Sequence, residues 1–193
     1  MQALDQQVFT DILQGNEAAF EKLFKTHYSP LCRFAYHYLS DKDVAEEVVQ
    51  STFIGFWEKK ERIQIDASLK SYLYRSVRNA CLNELKRLKV RQVHAEAVLV
   101  EGEGHSLAAD HEVIKDELET KIQEAIQRLP EQCRLIFRMS RMEELKYQEI
   151  ADALQISIKT VENQMGKALK LMRLRLKDYL PLITILFAHL LKP

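Results

Sequence analysis

The chain has 193 residues, 47% of them hydrophobic, and its 28 Lys and Arg balance 28 Asp and Glu to a formal net charge of zero. That is enough apolar material for one large core or two small ones, and the neutral total argues against a general polyanion binder. Five glycines and four prolines, with no turn-signal clusters between short β-branched runs, exclude a β-rich fold and leave an all-α one.

In chain order, Asn16 is placed to cap a helix carrying Phe20, Leu23 and Phe24 at helical spacing, and Pro30 punctuates before Leu31, Phe34, Ala35 and Tyr38 continue a similar stripe. Ser40-Asp41 marks the next start. From Asp43 the run DVAEEVVQSTFIGFWEKKERI is amphipathic, with Val44, Val48, Phe53 and Phe56 predicted inward and Asp43, Glu46, Glu47 and Gln50 outward. A third helix is expected from about Ser68, its apolar stripe Leu69, Leu73, Val77, Cys81 and Leu85. Its other face is basic: between Ser68 and Gln92, seven Lys or Arg stand against Glu84 alone.

After Arg91 the pattern fades into VHAEAVLVEGEGHSLAADHE, a linker by composition, and from Glu96 to Glu124 nine acids face only Lys115 and Lys121. Helical periodicity returns near Val113 and lasts to Leu129. Pro130 then sits at the first position of a helix running to Met142, with Leu135, Ile136 and Met139 as its core. The neutral total thus conceals alternating blocks, because Ser157 to Lys177 carries six bases against Glu162.

The stretch EIADALQISIKTVENQMGKALKLMRLRL has helix-turn-helix character. Tyr147, Ile150 and Leu154 share one face, Ala151 is small where a second helix would cross, Ser157 can cap that helix, and Val161 points back inward. The second helix offers Lys159, Thr160, Glu162, Asn163, Gln164 and Lys167, in which amides suit adenine edges, lysines suit guanine or phosphate, and a threonine methyl suits thymine. Lys170, Arg173, Arg175 and Lys177 follow where phosphates would lie. Glu162 fits such a face only by accepting from a cytosine amino group or by bracing a neighbouring lysine.

No glycine-rich phosphate loop, HExxH or nucleophile elbow is present, so no enzyme and no catalytic residue is expected. Cys32, Cys81 and Cys133 lie about fifty residues apart without a CxxC pair or clustered histidines; they read as reduced, buried thiols, and neither metal nor cofactor is expected. Met1 to Thr10 is polar and acidic rather than a signal peptide, which places the protein in the cytoplasm.

The order AFEKLFKTHYSPLCRFAYHYLSDKDVAEEVVQSTFIGFWEK, then SLKSYLYRSVRNACLNELKR, then a short acidic linker, then LPEQCRLIFRMSRMEELKYQEIADALQISIKTVENQMGKALKLMR, resembles a bacterial sigma factor of the extracytoplasmic-function group. The resemblance implies a region 2-like domain over 1–91, a flexible linker over 92–111 and a region 4-like helix-turn-helix domain over 112–178. It further implies binding to RNA polymerase core (its beta-prime clamp helices and beta flap), recognition of promoter DNA, and control by an anti-sigma factor, soluble or membrane-bound. By position, Asp43, Glu46, Glu47, Gln50, Phe53 and Trp57 match the core-binding helix, although Trp57 reads equally well as a core residue. Arg75, Arg78, Asn79, Asn83, Lys86 and Arg87 match the minus-ten reader, with Tyr72 or Tyr74 either stacking on an extruded base or packing in the core. Lys159, Thr160, Glu162, Asn163, Gln164, Lys167 and Arg173 match the minus-thirty-five reader. Gln155 stands where glycine is frequent, and Asn163-Gln164 replace commoner basic residues.

Two other readings fit the residues alone: a stand-alone helix-turn-helix regulator with a helical sensing domain, and a helical interaction protein whose basic faces are merely solvated. The resemblance does not account for residues 179–193, with the run LPLITILFAHLLKP. A membrane span needs about 20 apolar residues, so no span is expected. A short helix after Pro181 that packs on the protein's own domains, or meets a partner, is the expectation for this tail.

Overall fold

The structure is a computed structural model that describes residues 3–65, 68–95 and 116–177. The apolar tail and the linker beyond Ala95 lie outside the described residues. Those residues are all-α: α1 (Ala3–Leu13), α2 (Glu17–Leu39), α3 (Lys42–Lys59) with a 3-10 turn at Lys60–Arg62, α4 (Leu69–Ala95), α5 (Asp116–Gln127), α6 (Glu131–Arg141), α7 (Tyr147–Leu154) and α8 (Ile158–Arg175). They fall into two compact units, one within Met1–His105 and Gln148–Ile156, the other within Ser106–Tyr147 and Ser157–Pro193.

In the first unit, the helix ends are set by side chains that satisfy otherwise unpaired backbone groups. Asn16 Oδ1 accepts from the Ala19 N–H at 3.1 Å, and Asp41 Oδ1 from the Val44 N–H at 3.0 Å. Between these caps, Ser40 turns the chain in the left-handed region (φ 54°) while its N–H donates to the Tyr36 carbonyl, ending α2. Pro30 does not punctuate: α2 runs through it. An interior proline removes one helical hydrogen bond and crowds the preceding turn, at about 3 kcal/mol. Burial of Leu23, Leu31, Phe34 and Ala35 on one stripe across that position outweighs it, since a fully buried large apolar side chain contributes about 1.5–3 kcal/mol.

Helices α2, α3 and α4 pack mutually, and α1 lies against α2 and α4. The inward face of α3 is Ala45, Val49, Phe53 and Phe56, not the Val44 and Val48 expected. Steps of four, four and three keep one continuous stripe, whereas Val44 and Val48 lie about 100° to one side of it. The two phenylalanines decide the rotation. Phe53 meets Phe20 and Phe24 with ring centroids 6.2 and 4.9 Å apart, and Phe56 meets Phe9 at 6.2 Å. On α4, Leu69, Leu73, Val77 and Cys81 are buried as expected, while Leu85 is half-buried. Ser68 Oγ accepts from the Ser71 N–H at 3.0 Å and starts the helix. Ser71 Oγ in turn donates to the Glu149 carbonyl at 3.2 Å, part of what groups α7 with this unit.

In the second unit α6 packs on α8, which α5 also touches. Ile136 and Met139 are buried as expected, but Leu135 is half-buried and the stripe is completed by Cys133 and Phe137. From α8 come Val161, Met165, Ala168 and Met172. Pro130 is the residue before α6 rather than its first.

Cys81 and Cys133 are buried, and Cys32 is half-buried. Burial pushes the Cys81 thiol up to about 12. Because only the thiolate is nucleophilic, iodoacetamide at pH 8 should leave Cys81 unmodified in the folded protein and label it in denaturant, as read by peptide mass spectrometry. Pro30→Ala should raise unfolding stability by about 1–3 kcal/mol in urea titration, since it restores an N–H facing the Thr26 carbonyl.

Candidate nucleic-acid interface

The turn after α7 is tight. Gln155 takes the left-handed conformation (φ 53°) that glycine adopts without penalty, and the Ile156 N–H donates to the Ala151 carbonyl at 3.0 Å. Ser157 then caps α8, its Oγ accepting from the Thr160 N–H at 3.0 Å and lying 2.8 Å from the Thr160 hydroxyl. This second contact turns the Thr160 hydroxyl toward the cap and leaves its methyl for an apolar contact. Ile150, Ala151, Leu154 and Val161 are all buried, whereas Tyr147 is half-buried.

Along α8, Lys159, Glu162, Asn163, Lys167 and Arg173 are exposed and Gln164 is half-buried. Glu162 braces Lys159, its carboxylate 3.2 Å from the ammonium. An exposed pair of this kind contributes at most about 1 kcal/mol, so a phosphate or base can displace it. The Gln164 side-chain oxygen is held 2.9 Å from Cys133 Sγ, and Arg175 donates to the Ala125 carbonyl at 3.2 Å.

On α4, Arg75, Asn79, Asn83 and Lys86 form a stripe at steps of four, four and three, half-buried at Arg75 and exposed thereafter. Arg87 is also exposed and donates from Nε and Nη2 to Glu84 Oε1 at 3.1 and 2.8 Å. Arg78 lies beside the stripe and donates to Gln155 Oε1 at 3.0 Å. Tyr74 is a core residue, 1% exposed and edge-on to Phe34 at 4.9 Å, and cannot stack on a base without leaving the core. Tyr72 is half-buried, 6.0 Å from the Phe56 ring.

The outer face of α3 carries Asp43, Glu47 and Gln50 exposed, with Glu46 half-buried and 3.8 Å from Lys42. Gln50 donates to the Tyr28 hydroxyl at 3.0 Å. Phe53 is not on this face: it is 2% exposed and fixes the helix from behind. The apolar residue that does project is Ile54, 58% exposed and one turn beyond Gln50. Sequence reading passed over it, although its step of seven from Glu47 puts it on the outward stripe. Trp57 is half-buried, its ring 4.8 Å from Phe20 and covered by the Lys60 ammonium at 4.0 Å. No group of metal ligands occurs among the described residues, and no helix among them is long and apolar enough to cross a membrane.

Two family models match in the same order as these surfaces, Sigma-70 region 2 over residues 23–91 and Sigma-70, region 4 over residues 119–172, together more than half of the chain. The RNA polymerase sigma-H factor of Pseudomonas aeruginosa is 27% identical over 86% of this chain and 91% of its own length. The extracytoplasmic-function factor SigW of Bacillus subtilis is 22% identical over 86% of this chain and 94% of its own. The chain belongs to the extracytoplasmic-function sigma factors. Solved structures share the fold. The sigma factor RpoE of Bartonella quintana, in complex with the anti-sigma factor NepR, superposes with a TM-score of 0.59 at 20% identity, over 82% of this sigma factor and 96% of that chain. CnrH, in complex with the cytosolic domain of CnrY, gives 0.56 at 19% identity over 90% and 97%.

The turn and cap make opposite demands on substitution. Gln155→Gly should raise stability by up to about 1 kcal/mol by relieving the left-handed backbone. Ser157→Ala should lower it by about 0.5–2 kcal/mol through loss of the cap. Urea unfolding followed by circular dichroism measures both.

Proposed function

We infer that this sigma factor binds RNA polymerase core through the outer face of α3 and directs initiation at promoters read by α4 at minus ten and by α8 at minus thirty-five. One observation carries the reading: a single chain matches regions 2 and 4 in order and presents a polar, exposed face on the helix that belongs to each task. The α3 face, with Asp43, Glu46, Glu47 and Gln50 around the projecting Ile54, suits a basic protein groove with an apolar pocket. The stripe Arg75, Asn79, Asn83 and Lys86 suits a phosphate backbone with bases beside it. Each basic helix alone would bind DNA weakly and with strong salt dependence. Polymerase joins the two on one promoter and raises their effective concentration, so a neutral chain needs no general affinity for DNA. Likeness to a sigma factor solved with an anti-sigma factor supports regulation by such a partner. Residues 179–193 take part in that on-off choice, either by holding the domains together or by touching the partner.

Gel filtration of the full chain with core polymerase should show a stoichiometric complex. Glu47→Lys and Ile54→Glu should each weaken it at least tenfold while leaving circular dichroism unchanged. Tight operator binding by the free chain with no polymerase complex would instead make it a stand-alone regulator. Within the complex, Asn163→Ala should reduce discrimination at one minus-thirty-five position by about 1–3 kcal/mol. Arg173→Ala should weaken matched and scrambled sites alike.

A further inference from the structure

Gln164 is the one member of the reading face whose carboxamide is held by a residue from another helix. Cys133 on α6 is wholly buried, and its Sγ lies 2.9 Å from Gln164 Oε1 on α8. A carboxamide oxygen only accepts, so the hydrogen between them is the thiol's. This contact draws toward α6 one end of a planar group whose two ends have opposite hydrogen-bonding character. A glutamine that reads adenine uses both, accepting from N6 and donating to N7. With Oε1 drawn behind the helix, Gln164 has its amide N–H groups left to offer.

We propose that Cys133 is a positioning residue for promoter specificity: it draws the Gln164 oxygen toward α6 and leaves the amide N–H groups to face the groove, and so favours keto-bearing base edges, guanine or thymine, over amino-bearing adenine or cytosine at the contacted position. The proposal rests on the reading that α8 contacts the minus-thirty-five element. It adds that a buried residue, unable to touch DNA, sets which bases Gln164 accepts. Thymine O4 and guanine O6 and N7 offer acceptors in the major groove, whereas adenine sets a donating amino group beside its N7 acceptor and cytosine offers a donating amino group, and those amino groups oppose the amide N–H groups. Freed from the thiol, the amide can turn and accept from an amino group.

The test uses holoenzyme assembled from the full chain and core polymerase, binding promoter fragments randomised across the minus-thirty-five element, with base preference read by sequencing the bound fraction. The variants are Cys133→Val, which keeps volume without a donor, Cys133→Ala, Cys133→Ser, which keeps a donor, Gln164→Ala, and Cys133→Val combined with Gln164→Ala. The expected result is one position with a keto preference that falls at least fivefold in Cys133→Val and Cys133→Ala and is retained in Cys133→Ser. Gln164→Ala should abolish that preference, and the double variant should go no further. If Gln164→Ala changes the preference and neither Cys133→Val nor Cys133→Ala does, the positioning role is wrong while base reading by Gln164 stands. If Gln164→Ala leaves every preference intact, base reading by Gln164 is wrong and the proposal falls with it. A uniform loss of affinity in the Cys133 variants, with preferences unchanged, would show a purely structural thiol and overturn the proposal as well.

Discussion

The face that α3 turns outward is settled by what Phe53 and Phe56 require behind it. Their rings fit among Phe9, Phe20 and Phe24, and once they are seated the rotation of the helix is fixed to within a fraction of a turn. Ala45 and Val49 must then point inward, and Asp43, Glu47, Gln50 and Ile54 outward. A rotation by one residue, about 100°, would expose a phenylalanine and bury a carboxylate without a partner. Both changes cost several kcal/mol. The same cluster holds α2 helical through Pro30, since breaking the helix there would withdraw Leu31, Phe34 and Ala35 from the core. The outer face proposed for recognition therefore inherits its geometry from an aromatic contact behind the helix.

This dependence explains which features were legible in the sequence. Caps rest on one side chain and a backbone group three residues away, so Asn16, Asp41 and Ser157 could be read directly. The apolar stripe of α4 was legible because its members recur at strict steps of four. On α3, Val44, Val48, Val49 and Ile54 are alike in hydropathy, and only the bulk of the phenylalanines selects among the stripes. Ile54 was missed for that reason, and Phe53 was assigned to a surface it supports from beneath. Pro30 misled because local propensity predicts a break, while the gain from burial is distributed over residues far apart in the helix. Tyr72 and Tyr74 were indistinguishable on pattern; the ring of Phe34 on another helix claims Tyr74 for the core.

The reading faces show a second kind of information that spacing along one helix cannot carry. The Lys159–Glu162 and Arg87–Glu84 pairs lie within a single turn and follow from sequence. The Cys133 contact to Gln164 and the Arg175 contact to the Ala125 carbonyl cross between helices. Side chains held in this way have surrendered rotamer freedom during folding, and that freedom is worth about 0.5–1.5 kcal/mol for each chain that binding would otherwise order. They also present a restricted part of their hydrogen-bonding repertoire. A glutamine that can turn accepts several bases, and one that is held discriminates.

The two kinds of tie have different consequences for how α8 meets DNA. The exposed Lys159–Glu162 pair is weak and screened, so on the proposed reading it would yield to a phosphate. The thiol contact is part-buried, with its sulfur wholly so, and is less open to replacement by water than a surface pair. Of two side chains proposed to face the same groove, the one anchored in the core would therefore be the better determinant of sequence. The one paired at the surface serves position and affinity. On the proposed reading of α8, promoter preference would be encoded partly on α6, through a thiol that is wholly buried.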